Sequence, residues 1–174
     1  MSGGDPTIEV RPALTADAAE IARIYNHYIR QGGVTFDLAE YPTERVVKLL
    51  QRSEPDAWFV AAAANGLLGW ASARQFSDRP GFRLSRETAI YLDPVAIGTG
   101  VGDLLQQRIE QHCVAEGIHH AMAKILADNE RSIAFHKRYG YEVVGIQKEI
   151  GCVDDRWVDL VILQKIFAQS VSHR

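Results

Sequence analysis

A loop in which three glycines alternate with other residues restricts the possible folds of this chain more than any other sequence feature. The apolar strand pattern over residues 88–92 stops at Asp93-Pro94, the loop 98–102 follows, and a helix pattern with an apolar stripe begins directly after it. Glycine lets a backbone approach a ligand closely and adopt positive φ, and a helix N-terminus offers unpaired N–H groups and a positive dipole end. The loop is therefore predicted to cradle a phosphate group; a tight strand-to-helix turn is the plainer alternative.

Two widespread phosphate-binding motifs do not fit this loop. A Walker loop closes with Gly-Lys-Ser or Gly-Lys-Thr, whereas this loop closes with Val101-Gly102-Asp103. A dinucleotide-binding loop has the spacing G-x-G-x-x-G within an early βαβ unit, whereas the spacing here is G-x-G-x-G and no early βαβ pattern carries it. The phosphate is therefore expected to belong to a different cofactor.

The remaining patterns are those of one domain that mixes helices and strands. The chain has 174 residues, of which 47% are apolar, and this length suits a single domain with a sizeable core. Helical periodicity over residues 21–29 precedes two strand patterns, 58–63 and 67–72, that flank the hairpin signal Asn65-Gly66. Strand and helix patterns then alternate until two closing strands. This order predicts an α/β or α+β single domain over residues 1–174, with its core from about 8 to 167.

Charge and composition exclude several other classes of protein. The chain has 22 acidic and 19 basic residues, whereas a nucleic-acid partner requires a basic face, so none is expected. No apolar run approaches the roughly 18 residues of a membrane span, and the N-terminus lacks the features of a secretory signal. Cys113 and Cys152 are expected to be free thiols in the cytoplasm. His119-His120 has no accompanying ligand cluster, so no metal is expected.

Several motifs occur in an order and spacing that resemble the GCN5-related N-acetyltransferases. They are Tyr91-Leu92-Asp93-Pro94, the glycine loop, Asp128-Asn129-x-x-Ser132 and His136-x-x-x-Gly140-Tyr141. The resemblance extends from about Ile8 to Phe167 and implies a mixed, mostly antiparallel sheet flanked by helices. Features of the phosphinothricin acetyltransferase-like branch are Ile24-Tyr25-Asn26-His27-Tyr28, Thr35-Phe36, Gly81-Phe82-Arg83 before Glu87, Ser132-Ile133-Ala134-Phe135-His136 and Arg156-Trp157-Val158-Asp159.

This resemblance implies an acetyl-CoA-dependent N-acetyltransferase. The expected acceptor is the α-amine of a small amino acid or amino-acid-like inhibitor, of the phosphinothricin, methionine sulfoximine or methionine sulfone type, and the expected assembly is a homodimer. Acetylation of a protein N-terminus or a polyamine is an alternative. A coenzyme A-binding sensor without catalysis is another.

The resemblance also assigns candidate cofactor contacts. The backbone of Ile90 and Leu92 is expected to pair with the pantetheine amides, and Asn129 either contacts the pantetheine arm or simply caps the helix that follows. The residue before the loop is Ile97, where the family usually has arginine or glutamine, so one side-chain contact is missing and another base could substitute. The loop residues expected to hold the pyrophosphate through their N–H groups are Gly98, Thr99, Gly100, Val101 and Gly102.

Two side chains are candidates for the chemistry of acetyl transfer. Glu87 is interpreted as the general base, acting directly or through water, and is expected at the end of a polar loop that precedes the strand 88–92. His136 is interpreted as the acid or thiol-side donor, since an imidazole titrates near neutral pH. Tyr139, one turn further on, is the alternative donor.

The acceptor is expected to be held by an arginine and an aromatic wall. Arg83 is the leading carboxylate anchor, because a guanidinium binds a carboxylate at two points, and Arg79 and Arg86 compete for this role. Thr35 and Phe36 are expected to form a wall. The chain departs from the branch at Val153, often lysine there, and at Phe76-Ser77-Asp78, where the branch has Trp-Arg-Pro.

Overall fold

The computed structural model describes residues 7–52 and 55–168, which form one sheet of seven strands with four α-helices packed against it. The strands are β1 (Glu9–Pro12), β2 (Ala57–Ala63), β3 (Gly66–Gln75), β4 (Ser85–Leu92), β5 (His120–Leu126), β6 (Glu142–Val153) and β7 (Arg156–Ile166). The helices are α1 (Ala18–Gln31), α2 (Thr43–Leu50), α3 (Val101–Ala115) and α4 (Glu130–Arg138).

The sheet confirms the predicted mixed, mostly antiparallel architecture. Its strand order is β1-β2-β3-β4-β5-β7-β6, and every neighbouring pair is antiparallel except β4 and β5. The predicted hairpin is confirmed as well, since β2 and β3 pair from Ala57↔Ala73 to Ala63↔Gly66 around Asn65.

Each face of the sheet carries its own hydrophobic core, because successive strand residues point to opposite faces. Phe59 and Ala61 of β2 belong to the core built on α3, together with Leu105. Val60, between them, belongs to the core built on α1 and α2, together with Ile24. The two helical layers therefore lie on opposite faces of the sheet, and both contact β4, which is the central strand of the sheet.

A cleft opens in the middle of the sheet where β4 and β5 separate. The two strands pair only from Ser85↔His120 to Glu87↔Met122. Beyond that point β4 continues alongside β3 as far as Leu92, while β5 continues alongside β7 as far as Leu126. Glu87 therefore lies at the apex of a wedge whose sides are the C-terminal halves of two parallel strands.

The predicted boundary before β4 is wrong. Glu87 is the third residue of the strand, where it pairs with Arg74 of β3 and Met122 of β5, and does not end a loop. The polar composition that indicated a loop includes Arg86, which is buried but donates hydrogen bonds to the carbonyls of Arg83 and Ser85 at 2.9 and 3.0 Å. These two hydrogen bonds from Nη1 offset part of the cost of burying Arg86, whose Nε has no partner among the described residues.

Candidate active site

The mid-sheet cleft forms a cavity of about 630 Å³ between β4, the glycine loop and α4. Seven of the predicted site residues line it, namely Ile90, Leu92, Gly98, Gly100, Gly102, Asn129 and His136. The carbonyl of Leu92 already accepts a hydrogen bond of 2.6 Å from the Tyr28 hydroxyl. Thr99 and Val101 do not line the cavity, since the Thr99 hydroxyl donates to the Ala96 carbonyl at 2.7 Å and Val101 is fully buried.

The glycine loop has the backbone conformation that only glycine adopts readily. Gly98 and Gly100 have φ values of 81° and 89°, and a Cβ at either position would meet nothing within 4 Å. Gly100 is the N-cap residue of the 15-residue helix α3. A Cβ at Gly102, in contrast, would lie 3.4 Å from the Phe135 ring. The first two glycines therefore shape an open helix N-terminus, and the third lies beside the Phe135 ring, where a Cβ would make ordinary van der Waals contact.

Two arginines on α4 line the cleft. They matter because Ile97, the residue before the glycine loop, provides no basic side chain there. Arg131 and Arg138 are seven residues apart, which places them two turns apart on the same helix face. Arg138 forms an ion pair with Asp103, which also accepts a hydrogen bond of 2.6 Å from the Tyr139 hydroxyl. Sequence reasoning missed both arginines, although their spacing on a predicted helix could have identified them.

Asn129 caps α4, as one of its two predicted roles requires. Its side-chain Oδ1 accepts a hydrogen bond from the Ser132 N–H at 3.2 Å. The cap uses only the oxygen, so the side-chain amide N–H groups remain for a ligand in the cleft, which Asn129 also lines.

His136 is held as a neutral imidazole with an assigned tautomer. The ring is 5% exposed, and its Nδ1 lies 2.8 Å from the Ser132 carbonyl oxygen. Because a carbonyl only accepts, Nδ1 carries the proton and Nε2 is a hydrogen-bond acceptor. Burial lowers the pKa of His136 below its ordinary value of 6.5. Tyr139, the alternative donor, lines neither cavity.

This histidine should make the folded protein sensitive to acid. The folded state binds its proton less readily than the unfolded chain, so the free energy of unfolding should fall as pH drops from about 7.5 through 6.5. In the variant His136→Leu, urea denaturation at pH 7.5 and 5.5 should show a smaller fall than in the wild type. The variant His119→Gln, at an exposed position, is the control. An unchanged pH dependence in His136→Leu would contradict the assignment.

A second cavity, of about 370 Å³, lies on the opposite side of β4 beneath α1 and α2. Thr35, Phe36 and Glu87 line it as predicted candidates. It adjoins the mid-sheet cleft at Val34 and Tyr91, which line both cavities. The two cavities are therefore neighbours at the level of Tyr91.

Arg83, the predicted anchor, is exposed in the turn before β4 and lines neither cavity. The basic side chains that do line the second cavity are Arg45, Arg74 and Lys124. They come from α2, β3 and β5, so only the folded chain brings them together. Arg45 also stacks on the Tyr41 ring, with its guanidinium carbon 3.6 Å from the ring centroid.

Glu87 lies between two of these cations. Lys124 Nζ is 2.9 Å from Glu87 Oε2, and Arg74 Nη2 is 3.6 Å from Oε1. The Glu87 side chain is 25% exposed, so these pairs contribute little to stability. Their effect is to fix the orientation of the carboxylate at the apex of the wedge.

A buried hydrogen-bond network lies next to the junction of the cavities. The Tyr25 hydroxyl is 2.7 Å from Thr35 Oγ1 and also donates to Asp37, and the Tyr41 hydroxyl donates to Asp37 at 3.0 Å. Burial raises the pKa of Tyr25, and it raises the pKa of Tyr91 to about 12. These phenols therefore stay protonated and act as hydrogen-bond donors at neutral pH.

Several buried side-chain atoms around the second cavity have no hydrogen-bond partner among the described residues. Trp70, Ser72 and Arg74 alternate along β3, and Trp58 of β2 pairs with Ser72. All four residues line the cavity, and the unpaired atoms are Trp58 Nε1, Trp70 Nε1, Ser72 Oγ and Arg74 Nε. Each of these atoms is buried, so in this structure none of them is exposed to a molecule in the cavity.

The described residues contain no group of three or more histidine, cysteine, aspartate or glutamate side chains placed to bind a metal ion. Within the same residues, no helix combines the length and apolar character that crossing a bilayer would require. Cys113 is buried, Cys152 is exposed, and both thiols are free.

The wedge in the sheet, the glycine loop and the adjoining cavity are arranged as in an enzyme that transfers a group between two substrates. The family model of the acetyltransferase (GNAT) domain matches residues 10–162. The chain therefore belongs to the GNAT acetyltransferase family, as the motif order predicted.

Two curated relatives and one solved structure indicate the nearer branch. A phosphinothricin N-acetyltransferase of Streptomyces coelicolor is 33% identical, over 90% of this chain and 95% of its own. An L-methionine sulfoximine/L-methionine sulfone acetyltransferase of Pseudomonas paraeruginosa is 32% identical, over 89% and 92%. The crystal structure of a phosphinothricin acetyltransferase from Sinorhizobium meliloti in complex with acetyl-CoA superposes with a TM-score of 0.88 at 28% identity, covering 97% of this chain and 92% of that one.

Proposed function

We propose that this protein transfers the acetyl group of acetyl-CoA to the α-amine of a small, oxygen-rich amino acid or amino-acid-like inhibitor. The observation that carries the proposal is the junction of two cavities at Tyr91, one bordered by a glycine-capped helix N-terminus and the other by Glu87. The names of the relatives support acceptors of the phosphinothricin, methionine sulfoximine or methionine sulfone type.

The residues of the cleft suit coenzyme A. The N–H groups of Gly98, Gly100 and Gly102, which line the cleft, would hold the pyrophosphate, whereas the Thr99 N–H donates to the Ala96 carbonyl. Arg131 would supply the positive charge that Ile97 does not, because Arg138 is ion-paired with Asp103. The edge of β4 that faces the wedge would pair its backbone at Ile90 and Leu92 with the pantetheine amides. Asn129 would add its side-chain amide.

Glu87 would act as the general base. Bound acetyl-CoA supplies an activated thioester carbonyl, which the acceptor nitrogen attacks, forming a C–N bond as the C–S bond breaks. Glu87 accepts, directly or through water, the proton that the ammonium group must lose before attack. The second proton lost by the nitrogen balances the proton gained by the departing sulfur.

For His136, we propose an orienting role in place of an acid. Proton donation requires the imidazolium form, which burial disfavours. In the neutral tautomer, Nε2 accepts a hydrogen bond, so His136 can orient a water molecule or a donor group at the sulfur end of the cofactor. A role of this kind needs no change of charge during turnover.

Arg74 replaces Arg83 as the proposed carboxylate anchor. It lines the second cavity, which we call the acceptor cavity, and its Nη2 lies 3.6 Å from Glu87 Oε1. The variant Arg74→Gln should raise the acceptor KM roughly tenfold or more, since a charge-assisted hydrogen bond contributes about 1.5–3 kcal/mol. The variant Arg83→Gln should leave it within about twofold. Steady-state kinetics at saturating acetyl-CoA measures both; the reverse pattern would restore Arg83 as the anchor.

The direct test is a thiol-release assay with purified protein, acetyl-CoA and a panel of amines. The panel contains phosphinothricin, methionine sulfoximine, methionine sulfone, a peptide with a free N-terminus and a polyamine. Acetyl-CoA-dependent thiol release with the amino acid analogues is expected. Release with no amino acid analogue would contradict the proposal. The cations Arg45, Arg74 and Lys124 disfavour a polyamine, and calorimetric binding of acetyl-CoA without turnover would indicate a sensor.

The homodimer and the cytoplasmic location remain predictions. Strand β6 is an edge of the sheet and carries exposed apolar residues, among them Val144 and Ile150, and Trp157 of β7 is 68% exposed. Exposed apolar patches on an edge strand favour pairing with another chain. We propose that a second copy of this chain binds to this face. Light scattering should then give a particle mass of two chains.

A further inference from the structure

Strand β6 contains a bulge next to the acceptor cavity. It pairs with β7 at Gln147↔Leu160 and resumes at Gly151↔Val158. Four residue steps on β6 therefore face two on β7, which leaves two extra residues in the bulge. Glu149, inside it, has φ 51°, a conformation that non-glycine residues seldom adopt.

Asp159 of β7 holds this bulge in place. Its Oδ1 accepts a hydrogen bond of 2.8 Å from the Glu149 N–H, and its Oδ2 accepts one of 2.6 Å from Lys148 Nζ. A strained backbone conformation persists when surrounding contacts fix it. Asp159 provides such contacts from the neighbouring strand.

The residue that follows the bulge supports a wall of the acceptor cavity. A Cβ at Gly151 would lie 2.3 Å from Cε1 and 2.5 Å from Cδ1 of Phe36, so the ring packs directly on the glycine backbone. Phe36 lines the acceptor cavity, and Leu160 of β7 does as well. The position of β6 at Gly151 therefore limits where the Phe36 ring can lie.

We propose that the bulge held by Asp159 sets, through Gly151, the position of Phe36 and thereby the size of acceptor that the cavity admits. Gly151 and Asp159 are positioning residues, since both act through Phe36. The inference rests on the proposed acceptor role of this cavity. In this proposal, strand β6 selects acceptors by the size of their side chain, although it contributes no group to the chemistry.

The first test is the variant Gly151→Ala, which has no positive-φ strain to confuse the result. The added methyl group should displace the Phe36 ring into the cavity. The KM for a methionine-sized acceptor such as methionine sulfone should rise roughly tenfold, and the KM for acetyl-CoA should stay unchanged. The double variant Gly151→Ala/Phe36→Leu should restore acceptor binding. An unchanged acceptor KM in the single variant, or no rescue in the double variant, would overturn the proposal.

Gly145→Ala is the matched control, because Gly145 lies in the same strand and its added Cβ would meet nothing within 4 Å. Asp159→Asn keeps an oxygen for the Glu149 N–H, whereas Asp159→Ala does not. The acceptor KM should therefore rise more in Asp159→Ala than in Asp159→Asn. If both variants kept the wild-type KM for the acceptor, this result would count against a positioning role for Asp159.

A crystal structure of Gly151→Ala separates this proposal from the proposed function. If the wild-type protein acetylates no amine in the panel, the proposed function fails. The ring of Phe36 should still be displaced in the variant and not in Gly145→Ala. A Phe36 ring that stays in place would refute the positioning role whatever the activity.

Discussion

Replacing Glu87 with glutamine should lower kcat by about 10²–10⁴-fold, the usual contribution of a general base. Glutamine has nearly the shape of glutamate and can still accept a hydrogen bond from Lys124, which lies 2.9 Å from the carboxylate. It cannot take the proton of the acceptor ammonium. The rate of thiol release with the best acceptor of the panel measures the loss.

Two features distinguish loss of the base from general damage to the enzyme. The dissociation constant for acetyl-CoA, measured by calorimetry, should not change. The deficit should also shrink as pH approaches the pKa of the acceptor amine, because solvent then supplies the free amine. Glu142→Gln, at an exposed position that lines neither cavity, should be neutral. A wild-type kcat in Glu87→Gln would contradict Glu87 as the base. Asp37, the other carboxylate that lines the acceptor cavity, would then be the next candidate.

Replacing Gly100 with valine should weaken acetyl-CoA binding about tenfold or more. Gly100 has φ 89° as the N-cap of α3, and a left-handed conformation costs an L-residue roughly 1–2 kcal/mol, with β-branched residues the least tolerant. The loop would leave this conformation, and its N–H groups would no longer converge on the pyrophosphate. Calorimetry with acetyl-CoA measures the change in the dissociation constant.

The control for this variant is Gly81→Val. Gly81 is exposed in the turn before β4, has no positive φ, and its Cβ would meet nothing within 4 Å. Acetyl-CoA affinity should be unchanged there. In Gly100→Val, kcat should recover at saturating acetyl-CoA, since Glu87 and the acceptor cavity are untouched. A persistent loss of kcat would indicate wider disruption, and unchanged affinity would refute the phosphate cradle.

Features that depend on short stretches of chain were predictable. The Asn65-Gly66 hairpin, the glycine loop before α3 and the Asn129 cap each depend on residues within a few positions of one another. Their physical causes are turn geometry, positive φ and unpaired helix N–H groups, which act locally. For the same reason, the candidate cofactor residues of the glycine loop and α4 were mostly found in the cleft.

The strand boundary at Glu87 and the exposure of Arg83 were not predictable in this way. The run between β3 and β4 is rich in arginine, and its polar composition predicts a loop. Arg83 was predicted as the anchor because a guanidinium binds a carboxylate at two points. In the folded chain, pairing of β4 with β3 and β5 extends the strand back to Ser85 and leaves Arg83 exposed in the turn. Strand ends depend on partners distant in sequence, so local polarity is a poor guide there.

The sequence by itself determined the family, the mixed sheet and the position of the glycine loop, because each is encoded by local periodicity or by motif spacing. Only the tertiary structure decided which charges line the second cavity. Arg45, Arg74 and Lys124 come from three separate elements, and the support of Phe36 by Gly151 joins residues more than a hundred positions apart. Such contacts follow from the register of strands and the packing of layers, which are properties of the whole fold.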